Sequence, residues 1–381
     1  MRDARRTLVV LSFLHFINDA NFLLIPTVLP LVVQEFNLNY TEIGILLGAS
    51  TFITIFGQAL FGYFSDLRGR KYLLSLGFII LGLGSLLSSS ANNYVQLLIA
   101  QILLGLGGSF YHPLSYAWTS SIYEEGKVRA LGIQSSMGDV GIFSVFIING
   151  YMAVLISWRV PLMIFGSIAI IASISPIVLK EDHRNDGGTK INGFEFKRNF
   201  TKIISLLVAQ FMLAGAYRIL YGYLSLILTQ KGIDLIVSNS LIAILTLSGI
   251  IGGVIMGILM NHYGEERGLV VVSIISAVVI ILFNMTNNLL FIVLSLIITG
   301  FCIYGIYPGL YSLFSTRIPK KYLGLFYGIL LSIGMLGGTI ATVVAGMLAD
   351  IFGAWIILYI SAVFLVIIFI IMVIQLIKSR E

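Results

Sequence analysis

Five ionisable side chains interrupt long apolar segments of this sequence, and their chemistry is the most specific signal in the chain. His15 and Asp19 lie in the first apolar segment, His112 in the fourth, Asp139 in the fifth and Arg218 in the seventh. Charged groups are costly in apolar surroundings, so such residues usually face a cavity or pair with one another. We therefore expect these five residues to exchange protons or to bind a charged ligand.

The residue types indicate a division of labour. His15 and Asp19 are four positions apart and share one face of a helix. Asp19 and Asp139, with His15 or His112, could form a cluster that takes up and releases protons. Arg218 would supply a permanent positive charge suited to an anionic ligand. The alternative is that structural pairs, such as Asp19 with His15 or Asp139 with Arg218, only close a polar core.

Tyrosines accompany Arg218. Tyr221 lies near Arg218 on one helical face, and Tyr304 and Tyr307 share a face in the tenth apolar segment. A hydroxyl far from water prefers a polar partner, which predicts that these tyrosines line a cavity. The alternative is the common placement of tyrosine at a membrane–water interface.

Motifs of enzymes and metalloproteins are not evident in the sequence. A glycine-rich phosphate loop followed by Lys and Ser or Thr is missing, which disfavours an ATP-driven pump. His15 and Asp19 have the spacing of metal ligands, but no third ligand is evident. We predict a protein that is not an enzyme and uses no cofactor and no metal.

The elements that position these residues must be membrane-spanning helices. Hydrophobic residues make up 58% of the chain and charged residues 10%, whereas soluble domains have roughly 25% charged residues. The apolar segments reach the roughly 20 residues that cross a bilayer, and helices satisfy their backbone there. Twelve spans are predicted, near residues 8–33, 42–65, 72–90, 94–119, 129–153, 158–179, 200–229, 236–261, 268–286, 289–315, 322–349 and 353–377.

The distribution of Lys and Arg predicts the orientation. With a cytoplasmic N-terminus, 20 of the 23 Lys and Arg residues fall on the cytoplasmic side. Arg159 and Lys231 fall on outside connections, and Arg218 falls within a span. The positive-inside rule therefore predicts that both termini are cytoplasmic. The net charge of +6 follows from this orientation and gives no support to nucleic-acid binding.

A short glycine-bearing, basic segment recurs along the chain. Residues 62–71 (GYFSDLRGRK) have a degenerate copy at residues 257–266 (GILMNHYGEE), and residues 105–116 match residues 300–311 at the same offset. Residues 150–158 match 346–355 with a shift of one. We infer two related halves, residues 1–179 and 200–381, joined by a cytoplasmic linker over residues 180–199.

The segment between the second and third spans resembles the loop motif of the major facilitator superfamily. The residues that carry this resemblance are Gly62, Asp66, Gly69, Arg70 and Lys71. With the twelve spans, the linker and the repeat, the resemblance extends over nearly the whole chain. It implies an all-α membrane protein with twelve transmembrane helices in two pseudo-symmetric six-helix bundles, which expose a central site alternately to each side. The motif residues would then form a cytoplasmic gate.

Two further stretches resemble the fosmidomycin-resistance-type exporters. These are residues 15–30, with their prolines, and Phe110–Pro113. Three positions depart from related patterns: Leu67 replaces the usual basic residue of the loop motif, Gln101 replaces an arginine common in proton antiporters, and Gly138-Asp139 replaces a Gly-Pro pair.

The function that these observations favour is secondary active transport of a small molecule, coupled to protons. Efflux of a drug-like or anionic compound is favoured over uptake of a small metabolite. A membrane sensor on the same fold that does not transport, or a channel, is the alternative. We expect a monomer in the plasma membrane whose partners are the substrate, protons and lipid.

Overall fold

A computed structural model describes residues 2–123, 126–180, 200–318 and 323–378 of the 381-residue chain. Helices make up almost all of these residues, because a chain in lipid must satisfy its backbone polar groups within each segment. In order they are α1 (Arg2–Phe22), α2 (Leu24–Phe36), α3 (Tyr40–Arg68), α4 (Lys71–Ser89), α5 (Tyr94–Gly108), α6 (Tyr111–Ile122), α7 (Lys127–Leu155), α8 (Arg159–Ala172), α9 (Phe200–Gln230), α10 (Leu235–Tyr263), α11 (Glu265–Met285), α12 (Leu289–Thr316), α13 (Leu323–Phe352) and α14 (Ile356–Lys378).

The predicted all-helical membrane fold is confirmed. Among the described residues, 11 helical spans are long and apolar enough to cross a membrane, and α8 is a shorter apolar helix. The first predicted span consists of α1 and α2 with a break at Leu23, and the fourth consists of α5 and α6 with a break at Ser109 and Phe110. The sixth predicted span is helical only to Ala172 and continues as turns.

The chain packs as two compact units. The first comprises Met1–Asp186 with Ser225–Ala243, and the second comprises Gly187–Leu224 with Ile244–Glu381. Packing thus groups the end of α9 and the start of α10 with the first unit. The division into halves at residues 1–179 and 200–381 remains a prediction. The predicted linker, apart from residue 180, lies outside the described residues.

Close backbone contacts hold helices together in each unit. Lipid is as apolar as a leucine side chain, so helix association in a membrane relies on packing and on small residues. On α5, the Cα of Gly105 lies against the carbonyl of Ser50 on α3, and Thr54 Oγ1 donates to the Gly105 carbonyl at 2.9 Å.

The same contacts recur in the second unit at the positions that the sequence repeat pairs. A glycine on one helix faces a backbone carbonyl on its neighbour in every case. The pairs are Gly105 with Ser50, Gly300 with Leu245, Gly141 with Phe16, and Gly337 with Phe211. The first two pairs are related by the 195-residue offset, and the last two include the one-residue shift seen in the sequence. The repeat is therefore a repeat of packing as well as of sequence.

Local contacts hold Arg159, one of the two basic residues predicted on outside connections. Its Nη2 donates to Glu35 Oε1 at 2.7 Å and to the Ala91 carbonyl at 2.9 Å. Trp158 Nε1 donates to the other oxygen of Glu35 at 2.6 Å, and the guanidinium lies 4.3 Å from the Trp158 ring. Arg159 therefore ties the start of α8 to the end of α2.

We expect Gly105→Ala to destabilise the first unit, because the added Cβ would overlap the carbonyl oxygen of Ser50. Overpacking of this kind costs about 1–3 kcal/mol. The measurement is the apparent melting temperature of the purified protein in detergent. Gly132→Ala on α7 is the matched control, since a Cβ there has no described atom within 4 Å. Equal melting temperatures for the two variants would contradict this account of the packing.

Candidate functional site

Helices α1, α6 and α7 bring the predicted proton-exchanging residues of the first unit together. His15 Nε2 lies 3.2 Å from Asp19 Oδ2, and His112 Nε2 lies 3.9 Å from Asp19 Oδ1. The rings of His15 and His112 meet edge to face, with centroids 5.2 Å apart. Asp139 lies near enough to Asp19 and His15 to interact with both electrostatically. We call these four residues the histidine–aspartate cluster.

A hydrogen bond to the backbone of Gln134 fixes the orientation of His15. Its Nδ1 lies 2.7 Å from the Gln134 backbone carbonyl, which can only accept, so Nδ1 carries the proton. The Gln134 side chain is fixed in turn, because its Nε2 donates to the Tyr111 hydroxyl at 2.9 Å and its Oε1 accepts from Thr119 Oγ1 at 2.6 Å. This leaves His15 Nε2 pointing at the Asp19 carboxylate.

The contact between His15 and Asp19 constrains the charge that the cluster must hold. A neutral imidazole protonated on Nδ1 presents a lone pair at Nε2, and an ionised carboxylate presents only acceptors. Two acceptors 3.2 Å apart repel each other. The contact is attractive when a proton on Nε2, or another cation, lies between His15 and Asp19. The arrangement is therefore suited to taking up and releasing one positive charge.

Part of the cluster is open. The His15 side chain is only 4% exposed, whereas Asp19 is 23% exposed and His112 is 28% exposed. Asn18 Nδ2 donates to Asp19 Oδ1 at 2.9 Å and holds the carboxylate in place. Water or a small ion can thus reach the carboxylate while His15 stays fixed in the interior.

Gly138 makes the room that this arrangement needs. A Cβ built on Gly138 would lie 2.5 Å from Asp19 Oδ2 and 2.7 Å from His15 Nε2. Helix α7 can therefore run past the pair only with glycine at this position. The sequence prediction did not include Gln134 and Gly138 as supporting residues, although their spacing of four places them on one face of α7.

The second unit repeats this backbone setting without its charges. Gln210 and Ala214 occupy the positions that His15 and Asp19 occupy in the first unit. A Cβ on Gly334 would again meet them, at 2.6 Å from Gln210 Nε2 and 3.4 Å from the Ala214 Cβ. The ionisable side chains of the histidine–aspartate cluster are therefore found in the first repeat, whereas the glycine contact beside them is found in both.

The second unit contains a tyrosine cluster formed by Tyr217, Tyr221, Tyr304 and Tyr307. The Tyr221 hydroxyl lies 2.8 Å from Thr246 Oγ1 and 3.0 Å from the Tyr304 hydroxyl. The Tyr217 hydroxyl lies 3.3 Å from that of Tyr304, and the Tyr217 and Tyr307 rings meet edge to face with centroids 6.3 Å apart. The cluster therefore contains a connected row of hydroxyl groups.

Arg218 lies beside this tyrosine cluster. Its aliphatic stem packs on Gly338, where a Cβ would lie 2.6 Å from the Arg218 Cγ. Its guanidinium is near enough to Tyr217 and Tyr307 to interact with both electrostatically. The structure thus groups Arg218 with the tyrosines that the sequence associated with it, including Tyr217, which the site prediction left out.

The loop motif forms a tight turn between α3 and α4. Gly69 ends α3 with a φ of 83°, a value that favours glycine, and its N–H donates to the Ser65 carbonyl at 3.1 Å. Arg70 Nη1 donates to Ser121 Oγ at the end of α6 at 3.1 Å. Gly62 faces Pro113, and Lys71 begins α4. The side chain of Asp66 lies outside the described residues.

The degenerate copy forms the same turn with different charges. Gly264 has a φ of 98°, and its N–H donates to the Met260 carbonyl at 2.8 Å. Glu265 accepts from Ser312 Oγ at 2.9 Å, and Glu266 pairs with Arg317 at 3.1 Å. Acidic residues suit the first turn of α11, where the helix dipole is positive. Glu265 and Glu266 therefore begin α11. The corresponding residues in the first unit are basic: Arg70 precedes α4, and Lys71 is its first residue.

We expect Gln134→Leu to lower the melting temperature, because Thr119 Oγ1 would lose its acceptor in a fully buried position. A buried unpaired group costs about 1–3 kcal/mol. The double variant Gln134→Leu/Thr119→Val should recover part of this loss, since it removes both partners. Ser136→Ala on the exposed side of α7 is the control. Additive losses in the double variant would show that the hydrogen bond does not carry the effect.

Comparisons with known proteins agree with this architecture. The family model described as Major Facilitator Superfamily matches the chain twice, over residues 11–205 and 206–381. The sialic acid transporter NanX of Escherichia coli (strain K12) is 27% identical over 373 residues, covering 92% of this chain and 89% of that protein. Multidrug resistance protein 1 of Bacillus subtilis (strain 168) is 23% identical over 364 residues, covering 92% of each chain.

Solved structures show the same fold. A bacterial homolog of the human lysosomal transporter Spinster, in an inward-facing and occupied conformation, superposes with a TM-score of 0.84. The match covers 96% of this chain and 95% of that chain at 16% sequence identity. The family model spans both repeats, and the fold of the solved structure agrees with it. The chain belongs to the Major Facilitator Superfamily.

Proposed function

We propose that this secondary transporter couples the movement of a small molecule to the movement of protons through the histidine–aspartate cluster. The observation that carries the proposal is the contact of 3.2 Å between His15 Nε2 and Asp19 Oδ2. With Nδ1 held by the Gln134 carbonyl, this contact favours one added proton, and the partial exposure of Asp19 provides a path for it. Asp139 adds a second carboxylate within electrostatic range of Asp19 and His15.

The proposed substrate is a drug-like or anionic compound, with efflux as the proposed direction. Arg218 supplies a positive charge, and the tyrosine cluster supplies hydroxyl groups and aromatic faces beside it. The similarity to Multidrug resistance protein 1 supports a drug-like substrate. The second candidate is transport of a small metabolite, which the similarity to a sialic acid transporter favours. The resemblance to fosmidomycin-resistance-type exporters stays a prediction.

The loop motif is proposed as the cytoplasmic gate of a monomer in the plasma membrane, with both termini cytoplasmic. The excess of Lys and Arg on one side supports this orientation. The contact from Arg70 to Ser121 and the pair of Glu266 with Arg317 each join the start of one helix to the end of another. Contacts of this kind can break and re-form when helices separate, which a gate requires. The mid-span charges argue against a sensor that has lost transport.

We expect uptake or release of substrate by reconstituted vesicles to depend on a pH gradient. The probes are sialic acid and the drug-like dye ethidium, and the measurement is their accumulation with and without a protonophore. Asp19→Asn and Asp139→Asn should each reduce gradient-driven accumulation at least tenfold, because each removes a carboxylate that balances the proton charge. Asp3→Asn is the matched control, since Asp3 is exposed near the start of the same helix as Asp19.

Two results together would overturn the coupling assignment. One is accumulation that is unchanged when the gradient is dissipated. The other is normal transport by Asp19→Asn or Asp139→Asn. Transport of one probe that does not respond to the gradient, with both variants unaffected, would assign the protein to facilitated diffusion.

We expect Arg218→Gln to abolish the thermal stabilisation produced by an anionic substrate, whereas Arg218→Lys should retain part of it. A ligand that binds the folded state raises the melting temperature, and the shift grows with the ratio of ligand concentration to dissociation constant. Lysine keeps the charge but lacks the planar fork of arginine. Comparing the thermal shifts of the wild type, Arg218→Lys and Arg218→Gln therefore separates the effect of charge from that of geometry. The measurement is a thermal-shift titration with sialic acid. Equal shifts for all three proteins would exclude Arg218 from anion binding.

A further inference from the structure

We propose that His15, Asp19 and His112 form a binding site for a divalent transition-metal cation of the zinc type. The ligand atoms of these three residues all lie within 4.8 Å of one another. In the sequence, the ligand spacing is evident only for His15 and Asp19, which share one helix, and the sequence prediction was that no metal is bound. His112 comes from α6, so the third ligand is evident only after folding.

The donor set matches the chemistry of such cations. Imidazole nitrogens and carboxylate oxygens are the ligands that zinc, nickel and iron(II) share, and two histidines with one carboxylate form a common three-residue set. Asp139 lies within electrostatic range of Asp19 and His15. With both histidines neutral, a divalent cation would balance the charges of the two carboxylates.

The setting of His15 is that of a metal ligand. Histidines that bind metals usually donate their other ring N–H to a carbonyl or carboxylate, which orients the ring. His15 does this through Nδ1, at 2.7 Å from the Gln134 carbonyl. The Gln134 side chain is itself held by Thr119 and Tyr111. The free Nε2 therefore points toward the Asp19 carboxylate with its direction already fixed.

One ligand pair already has the spacing of a metal site, and the third ligand must move inward. Four ligands at 2.0–2.1 Å in a tetrahedron lie about 3.3 Å from one another. His15 Nε2 and Asp19 Oδ2 are already 3.2 Å apart. His112 Nε2 lies 3.9 Å from Asp19 Oδ1, and its side chain is 28% exposed, so the ring has room to move inward.

Space beside the ligand atoms is left open by Gly138. A Cβ at this position would stand 2.5 Å from Asp19 Oδ2 and 2.7 Å from His15 Nε2, where a coordinated cation would lie close by. This contact gives a test that removes no ligand. The Cβ of Gly138→Ala would displace the ligand atoms of His15 and Asp19, although all three ligand side chains remain in the chain.

The experiment measures binding of Zn²⁺ and Co²⁺ to the full-length protein in detergent after treatment with a chelator. The chain has four histidines, so His183→Gln/His262→Gln serves as the background that leaves only His15 and His112. Zn²⁺ affinity is measured by calorimetry, and Co²⁺ binding by its visible absorption, which reports nitrogen and oxygen ligands. Size-exclusion elution confirms that each variant is folded.

We expect the background protein to bind one Zn²⁺ per chain. Adding His112→Gln should weaken binding at least tenfold, and adding Gly138→Ala should weaken it as well, whereas the control Gly132→Ala should leave it unchanged. Failure of the background protein to bind either metal at 0.1 mM, or equal affinity with and without His112, would overturn the proposal. Because binding is measured at equilibrium without flux, these outcomes are independent of proton coupling and transport.

Discussion

A carboxylate inside an apolar helix bundle must have its charge balanced where it lies, and the arrangement around Asp19 follows from this constraint. Moving a charge from water to hydrocarbon costs several kcal/mol or more. Asp19 is therefore surrounded by groups that can donate to it or share a cation with it: His15 and His112 on two helices, and the amide of Asn18. Gln134 fixes the tautomer of His15, and Gly138 gives the pair its space.

The two repeats share their helix-packing contacts but differ in their charged residues. The glycine-to-carbonyl contacts that hold the helices recur in both units, because close packing is the main attraction between helices in lipid. Residues that carry charge are under no such geometric requirement. Gln210 and Ala214 stand where the first unit has His15 and Asp19, and acidic residues stand where the loop motif has Arg70 and Lys71. The repeat conserves its packing and allows its chemistry to differ.

This separation suits a secondary transporter. A charge on the histidine–aspartate cluster can differ between the units while the contacts that hold the helices together stay the same. Arg218 and the tyrosine cluster give the second unit a different character, with a fixed charge and a row of hydroxyl groups. The two units therefore present distinct groups, which are imidazoles and carboxylates in the first and a guanidinium with tyrosine hydroxyls in the second.

The sequence by itself determined the spans, the repeat and the types of residue in the site. Hydropathy places helices because lipid leaves the backbone no other partner, and the positions of α3 and α4 follow the predicted spans closely. The tertiary structure alone decided whether the predicted residues meet and through which atoms. His112 reaches Asp19 from another helix, and Gln134 orients His15 through a backbone carbonyl. Such contacts depend on how each helix is rotated about its axis and on how closely a glycine lets two helices approach. The pattern of polar and apolar residues along the sequence specifies neither the rotation nor the distance.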